Sequence, residues 1–270
     1  MLKIESNWLD LRLLDDLAAQ DTVIHRLDPG TKLLTTLIFI IIVSSFPKYE
    51  ITGLVPLFFY PFALISLGNL PSAHLLKRLL LVSPFVIFVG ILNPIFDQTP
   101  VAKIGSVLIS GGWISFIAIT VKLSLTVTAA LILVATTGMN AICSALLRVG
   151  VPKAIVVQLL FMYRYLHVLI EEFARTVQAY SLRSFHGGGI HFKAWGSLLG
   201  QLLLRTIERA QRIYQSMLCR GFDGDVRIVR SSQIRSFDLL YVLGWTGFIL
   251  LARFFNIPQY LGKLLTGVFS

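Results

Sequence analysis

Long apolar stretches recur along this chain, and they constrain its fold more than any other feature. Crossing about 30 Å of hydrocarbon takes roughly 20 apolar residues in a helix. With a window of about 19 residues, the sequence shows five candidate stretches, at 33–46, 51–67, 79–96, 114–137 and 237–255. The chain of 270 residues is 55% hydrophobic and only 14% charged, with a mean hydropathy of +0.76. Such a composition cannot cover a soluble surface, so the sequence predicts an all-α polytopic membrane protein with about five transmembrane helices.

Prolines interrupt two of these stretches. Pro56 and Pro61 lie in the second, and Pro84 and Pro94 lie in the third. Proline lacks a backbone donor and bends a helix, and neighbouring helices must then satisfy the freed carbonyl groups. The sequence therefore predicts an irregular bundle.

The basic residues indicate the orientation in the membrane. Thirteen of the 24 Lys and Arg residues lie between 139 and 235. If that region is cytoplasmic, four crossings precede it, and 19 basic residues face inward against four outward, as the positive-inside rule expects. We therefore predict a cytoplasmic N-terminus in the cell inner (plasma) membrane, and we attribute the net charge of +10 to topology and not to nucleic-acid binding.

The predicted organisation has three parts. Residues 1–138 form an N-terminal lead-in and four transmembrane helices, residues 139–235 form cytoplasmic helices, and residues 236–270 form the last transmembrane helix and a tail. The first 28 residues contain six acidic and three basic side chains, which argues against a cleavable signal peptide there.

The predicted cytoplasmic region contains an internal repeat. A shift of 37 residues aligns 170–185, IEEFARTVQAYSLRSF, with 207–222, IERAQRIYQSMLCRGF, and six of the 16 aligned residues are identical. In both segments apolar residues recur every three or four positions, which predicts two amphipathic helices.

Each predicted helix has a polar and an apolar face. Glu171 precedes Arg175 by four residues, and Glu208 precedes Arg212 by the same spacing, which stabilises an exposed helix face. The apolar positions are Met162, Leu166, Ile170, Phe173, Val177 and Tyr180 in the first helix, and Leu199, Leu203, Ile207, Ala210, Tyr214 and Met217 in the second.

Both helices are expected to end close to an arginine that is followed by glycine. Glycines at 187–189 follow Arg183, and Gly221 and Gly224 follow Arg220. The two arginines should therefore lie in last turns, where the helix macrodipole stabilises a cation. Alternatively, each guanidinium forms bidentate bonds with carboxylates of a partner protein.

Three stretches together resemble the transmembrane T component of energy-coupling factor (ECF) transporters. They are HRLDPGTKLL at 25–34, SLRS at 181–184 and CRGFDG at 219–224. Within that family, YRYLHVLIEEFAR at 163–175 and ERAQRIYQSMLCRGFDG at 208–224 are most similar to the cobalt or nickel type, called CbiQ.

This resemblance implies a mechanism and a set of partners. Two cytoplasmic ABC ATPase subunits would grip the two coupling helices, and the membrane helices would pass their motion to a substrate-binding membrane subunit in the lipid bilayer. The chain itself would be a non-catalytic subunit without a cofactor, and the cargo would be cobalt or nickel ions. The ATPase-docking residues that the resemblance implies are Leu182, Arg183, Ser184, Cys219, Arg220 and Gly221.

Other chemistry has little support in the sequence. PGTK at 29–32 lacks the glycine spacing of a phosphate-binding loop, and Asp28 with Pro29 predicts an ordinary helix start. His186 and His191 flank glycines and are interpreted as turn residues, not as metal ligands.

Two functions from other classes remain as alternatives. A membrane-embedded enzyme could use Asp15, Asp16 and Asp97, and a self-sufficient carrier or channel could use Asn93, Asp97 and Lys122. We interpret Lys122 as a residue near the membrane interface. The two cysteines, Cys143 and Cys219, are interpreted as packing residues.

Overall fold

The computed structural model describes residues 17–48, 50, 52–96, 100–104, 107–183, 192–223 and 235–254. Contacts within the chain divide it into two compact units. Of the described residues, the larger unit comprises those from 17 to 145 and from 235 to 254, and the smaller unit comprises those from 146 to 223.

Helices dominate the described residues, and the predicted all-α class is confirmed. Two short strands form an antiparallel hairpin that the sequence analysis did not predict. In chain order the elements are α1 (Pro29–Ser44), 3-10 turns at Thr52–Leu54 and Pro56–Phe58, α2 (Phe59–Leu67), α3 (Ser72–Gly90), α4 (Leu92–Phe96), β1 (Pro100–Ile104), β2 (Val107–Ser110), α5 (Gly111–Thr137), α6 (Met139–Val149), α7 (Lys153–Arg183), α8 (Phe192–Cys219) and α9 (Ser236–Phe254).

Four helical segments within the described ranges are long and apolar enough to cross a membrane, which makes the chain a polytopic membrane protein. Three of them coincide with predicted stretches, and the first two predicted stretches form shorter apolar helices instead. The remaining segment is α7, which falls in the region predicted to be cytoplasmic. Its mean hydropathy of 1.4 is lower than the 2.2 of the first two segments. The four segments are Ser72–Pro94, Gly111–Thr137, Lys153–Arg183 and Ser236–Phe254.

The prolines divide the second predicted stretch into short pieces. Pro56 begins a 3-10 turn, and Pro61 lies near the start of α2, where a missing backbone donor is tolerated. Pro84 lies inside α3, as the sequence predicted. The bundle is therefore irregular around the 3-10 turns, α2 and α3.

The core of the larger unit lies around α1, which packs against both α5 and α9. The rings of Phe39 and Tyr60 stack with centroids 4.5 Å apart, and Tyr60 meets Trp245 edge-on at 4.9 Å. The buried phenol oxygen of Tyr60 lies 3.1 Å from Thr36 Oγ1, so its polar atom is hydrogen-bonded inside this apolar core.

The outer surface of α3 is apolar. Leu80, Leu81, Phe85 and Phe88 are between 65% and 81% exposed. A soluble monomer rarely exposes such a contiguous patch, whereas a hydrocarbon solvent accommodates it. This helix therefore presents a lipid-compatible face.

Polar side chains are placed at the N-terminal end of α1. Asp28 is its N-cap and accepts a hydrogen bond from Gly30 N at 2.9 Å, which confirms the predicted helix start. Asp238 of α9 accepts a bond from Asp28 N at 3.0 Å, and Lys32 Nζ donates to Thr136 O at 2.9 Å. The DPGTK segment thus joins α1 to α5 and α9.

Two cations hold the carbonyl groups that follow α1. Lys122 Nζ donates to Phe46 O at 2.5 Å and to Pro47 O at 3.3 Å. Arg253 Nη2 donates to Ser45 O at 3.2 Å. Cations at a helix C-terminus are electrostatically favourable, so Lys122 has a structural partner within the larger unit.

Candidate functional site

The smaller unit consists mainly of α7 and α8, and a glycine turn sets the start of α7. Gly150 has φ +98°, and its N–H donates to Leu147 O at 3.2 Å. Val151 N donates to Leu146 O at 3.1 Å, which completes a Schellman motif after α6. The chain then continues through Pro152 into α7, because proline fits a helix start.

The second predicted docking arginine also lies in a Schellman motif. Gly221 has φ +77°, and its N–H donates to Leu218 O at 3.0 Å. Phe222 N donates to Met217 O at 3.0 Å. Gly221 therefore ends α8 as predicted, but Arg220 is the first residue after the helix and not part of its last turn. Arg220 is exposed there.

The first predicted docking arginine is the last described residue of α7. Arg183 is exposed, and the adjacent Leu182 is 79% exposed. Ser184, the glycines at 187–189 and Gly224 lie outside the described residues. Both predicted arginines are thus accessible at helix ends.

A cluster of ion pairs joins α7 to α8. Glu172 Oε1 lies 2.8 Å from Arg205 Nη1, and Glu172 Oε2 lies 3.0 Å from Arg175 Nη2 and 3.5 Å from Arg209 Nη2. The Glu172 side chain is only 17% exposed, so it lies between the helices. Charge-assisted bonds of this kind fix both distance and orientation.

The predicted polar faces are present with one change of partner. Arg212 Nη1 lies 3.9 Å from Glu208 Oε2, and both side chains are well exposed, as expected. Arg175 pairs with Glu172, three residues before it. Glu172 also pairs with Arg205 of α8.

The two helices run in opposite directions where they meet. Phe161 of α7 and Met217 of α8 line the same cavity, whereas Phe173 lies 6.1 Å from Trp195 between ring centroids. Later residues of α7 thus meet earlier residues of α8, as in an antiparallel helical hairpin.

This arrangement gives the sequence repeat a spatial meaning. Residue 209 is the repeat equivalent of residue 172, and these two residues meet at the centre of the pair. Arg183 follows Glu172 by 11 residues, and Arg220 follows Arg209 by 11 residues. At 1.5 Å per residue each interval is about 16 Å along its helix. The two arginines therefore lie on opposite sides of a common centre at matched distances.

The predicted apolar face of α8 is directed only partly towards α7. Ala210, Tyr214 and Met217 line the cavity between the helices, although Tyr214 is also 56% exposed. The other predicted positions are about half exposed: Leu199 by 50%, Leu203 by 60% and Ile207 by 47%.

Sequence reasoning did not identify Glu172, Arg205 and Arg209. Two signals could have found them. Arg205 and Arg209 are four residues apart and so share one helix face. The repeat also places an acidic residue opposite a basic one at 172 and 209, which is suited to pairing between its halves.

The remaining candidate residues fall into two groups. Cys143 is buried, as interpreted, but Cys219 is exposed at the end of α8, so its interpretation as a packing residue was wrong. His, Cys, Asp and Glu residues in the part of the chain that the structure describes form no group of three or more that could hold a metal ion. His186, His191, Asp15, Asp16 and Asp97 lie outside that part.

Most of the chain is similar in sequence to known proteins. The profile of the family described as the cobalt transport protein CbiQ matches residues 20–233. The energy-coupling factor transporter transmembrane protein EcfT of Bacillus subtilis is 28% identical over 224 residues, covering 75% of this chain and 82% of that protein. The EcfT protein of Leuconostoc gelidum is 27% identical over 258 residues, with coverages of 88% and 94%. An uncharacterized protein of Methanocaldococcus jannaschii is 25% identical over 235 residues, with coverages of 82% and 78%.

Proposed function

Because the chain belongs to the family of the cobalt transport protein CbiQ, we propose that it couples ATP hydrolysis to import within an ECF transporter. The chain is the transmembrane component. In this proposal two cytoplasmic ABC ATPase subunits bind α7 and α8, and a separate membrane subunit binds the substrate.

The single observation that carries the proposal is the placement of Arg183 and Arg220. Each is exposed beside a helix end, and each lies about 16 Å from the shared ion-pair cluster, on opposite sides of it. Two similar contacts at matched distances suit a pair of similar partner subunits. A guanidinium in such a position can form bidentate bonds with carboxylates.

The proposed surface at each contact includes more than the arginine. Leu182 offers an exposed apolar side chain beside Arg183, and Gly221 fixes the backbone just after Arg220. Ser184 and Cys219 complete the six proposed docking residues.

The proposed cargo is a cobalt ion, which rests on the description of the family, or a nickel ion, which rests on the resemblance of residues 163–175 and 208–224 to the cobalt or nickel type. The proposed orientation places the N-terminus, α7 and α8 on the cytoplasmic side of the inner (plasma) membrane. This orientation rests on the distribution of basic residues. The chain itself is a non-catalytic component in this proposal.

Alanine substitution of the two arginines tests the docking role. Losing one side of a desolvated interfacial ion pair weakens binding by about 2–5 kcal/mol, whereas losing a helix-dipole contact costs only about 0.3–1 kcal/mol. We expect Arg183→Ala with Arg220→Ala to release the ATPases during co-purification of the complex and to stop uptake. Each single substitution should have a smaller effect.

Arg212→Ala is the matched control, because Arg212 is an exposed arginine of α8 that forms an ion pair with Glu208 on the same helix. It should leave co-purification unchanged. A double variant that is expressed normally, retains its ATPases and transports at the unmodified rate contradicts the docking role. Uptake of labelled Co²⁺ and Ni²⁺ by the whole complex, with and without ATP, tests the cargo separately.

A further inference from the structure

A cavity of about 320 Å³ lies between α7 and α8. This volume is typical of sites for small molecules. The Thr206 hydroxyl donates to Leu202 O and Leu203 O of its own helix, so it adds little free polarity to the cavity. Seven of the thirteen lining side chains are apolar: Phe161, Val168, Leu169, Leu202, Ala210, Ile213 and Met217.

The same cavity is bordered by charged groups. Glu172, Arg205 and Arg209 also line it, and Arg175 shares the Glu172 carboxylate. Three guanidinium groups thus surround one carboxylate, which leaves a surplus of two positive charges. The Arg205 and Arg209 side chains are 58% and 38% exposed, so a ligand can reach them.

The cavity lies where the sequence of α7 changes from apolar to charged. Residues from 153 to about 170 form the most apolar part of the helix, and the acidic pair Glu171 and Glu172 begins its charged part. A ligand that fits here therefore needs an apolar body and an anionic group next to it.

We propose that this cavity binds an anionic phospholipid of the adjacent cytoplasmic leaflet, with an acyl chain between α7 and α8 and the phosphate at Arg205 and Arg209. A neutral molecule would leave the surplus charge unbalanced, and free phosphate would leave the apolar walls exposed to water. Basic pockets between helices near a membrane surface bind anionic headgroups by this combination of contacts.

Lipid retention by the purified full chain tests the proposal. The chain is reconstituted in nanodiscs of phosphatidylglycerol or of phosphatidylcholine, returned to detergent, and its retained lipid is measured by native mass spectrometry. We expect phosphatidylglycerol to be retained and phosphatidylcholine to be lost. Removing two cations with Arg205→Gln and Arg209→Gln should weaken phosphatidylglycerol binding about 30-fold.

Two further variants separate the acyl-chain contact from the charge. Ala210→Trp fills the cavity and should reduce phosphatidylglycerol retention while the arginines remain. Arg212→Gln removes a cation one turn away and should leave retention unchanged. Equal retention of the two lipids, or equal retention by the Arg205→Gln/Arg209→Gln variant, would overturn the proposal.

Two other occupants are distinguishable in the same experiment. Inorganic phosphate that competes with phosphatidylglycerol at low millimolar concentration, and that binds Ala210→Trp equally well, would show a phosphate site and overturn the lipid. A photoreactive side chain at position 210 should crosslink to lipid in the assembled transporter. Crosslinking to a partner subunit would overturn the proposal in favour of a protein contact.

Discussion

His25, in the segment that precedes α1, shows how a single side chain connects sequence motif and packing. Its Nε2 donates to Leu17 O at 3.0 Å, and its Nδ1 lies 2.6 Å from Thr22 Oγ1. Burial lowers the pKa of His25, and the nearby charge of Lys32 lowers it further. The neutral ring is therefore the form that the fold favours.

This pKa shift predicts a pH dependence of stability. Because the folded pKa lies below the unfolded value of about 6.5, the contribution of His25 is complete above that value and is lost as pH falls through the folded pKa. We expect the difference in melting temperature between the wild-type chain and His25→Gln to shrink as pH falls from 7.5 to 5. A difference that grows with acidity would show that the charged ring is favoured instead.

The ion pairs of Glu172 lead to a second prediction. Glu172→Gln leaves three guanidinium groups facing one another without a carboxylate, so we expect α7 and α8 to separate more often. Because the arginines are well exposed, the cost should be about 1 kcal/mol. The distance distribution between spin labels at Gln178 and Gln201, after replacement of Cys143 and Cys219, should broaden.

An exchange of charges provides the control. Glu172→Arg combined with Arg209→Glu reverses the central pair while keeping its opposite signs, because the two positions are equivalent in the repeat. This double variant should restore a narrow distance distribution. If it remains as broad as Glu172→Gln, the ion pair does not hold the helices together.

At the scale of elements, the end of α8 depends on one backbone conformation. Gly221 has φ +77°, and a Cβ built there would meet no atom within 4 Å. The cost of Gly221→Ala therefore comes from the backbone alone and is about 1–2 kcal/mol. We expect amide hydrogen exchange in the last turns of α8 to accelerate by roughly five- to thirtyfold.

Gly196 gives the opposite expectation within the same helix. It lies inside α8, and a Cβ there also meets no atom within 4 Å. Gly196→Ala should slow exchange, because alanine is more favourable than glycine in a helix interior by about 0.5–1 kcal/mol. Faster exchange in both variants would indicate a general loss of structure and not a helix-end effect.

Hydropathy and local residue preferences predicted the elements better than the contacts between them. The apolar stretches identified α3, α5 and α9, and Asp28 with Pro29 identified the start of α1, because these signals are local in sequence. The pairing of Glu172 with Arg205 and Arg209 depends on how two helices meet, so periodicity within either helix could not specify it. The same is true of the cavity, whose walls come from residues up to 56 positions apart.

At the scale of the whole molecule, the predicted topology decides whether the proposed docking residues can contact cytoplasmic ATPases. Since α7 is apolar enough to cross a membrane by length and composition, a crossing would place residues near 187 on the opposite side from Lys153. The basic residues favour a cytoplasmic location for both ends of α7.

Cysteine labelling tests this topology directly. In a variant without Cys143 and Cys219, a cysteine introduced at 187 or at 224 should resist an impermeant reagent applied to intact cells and react after permeabilisation. A cysteine replacing Lys48, predicted to face outward, should react in intact cells. Rapid labelling at 187 from outside would contradict the cytoplasmic placement of α7 and with it the docking role of Arg183.

The matched intervals from the Glu172 cluster to Arg183 and Arg220 also have a mechanical consequence. If α7 and α8 rotate together about that cluster as one rigid body, the pair acts as a lever with two equal arms, each about 16 Å long. A displacement of about 3 Å at one arm tip corresponds to a rotation of about 10° and reappears undiminished at the other. Such a pivot transmits force without amplifying it, so in the proposed function the size of the stroke would be set by the ATPases that bind at Arg183 and Arg220.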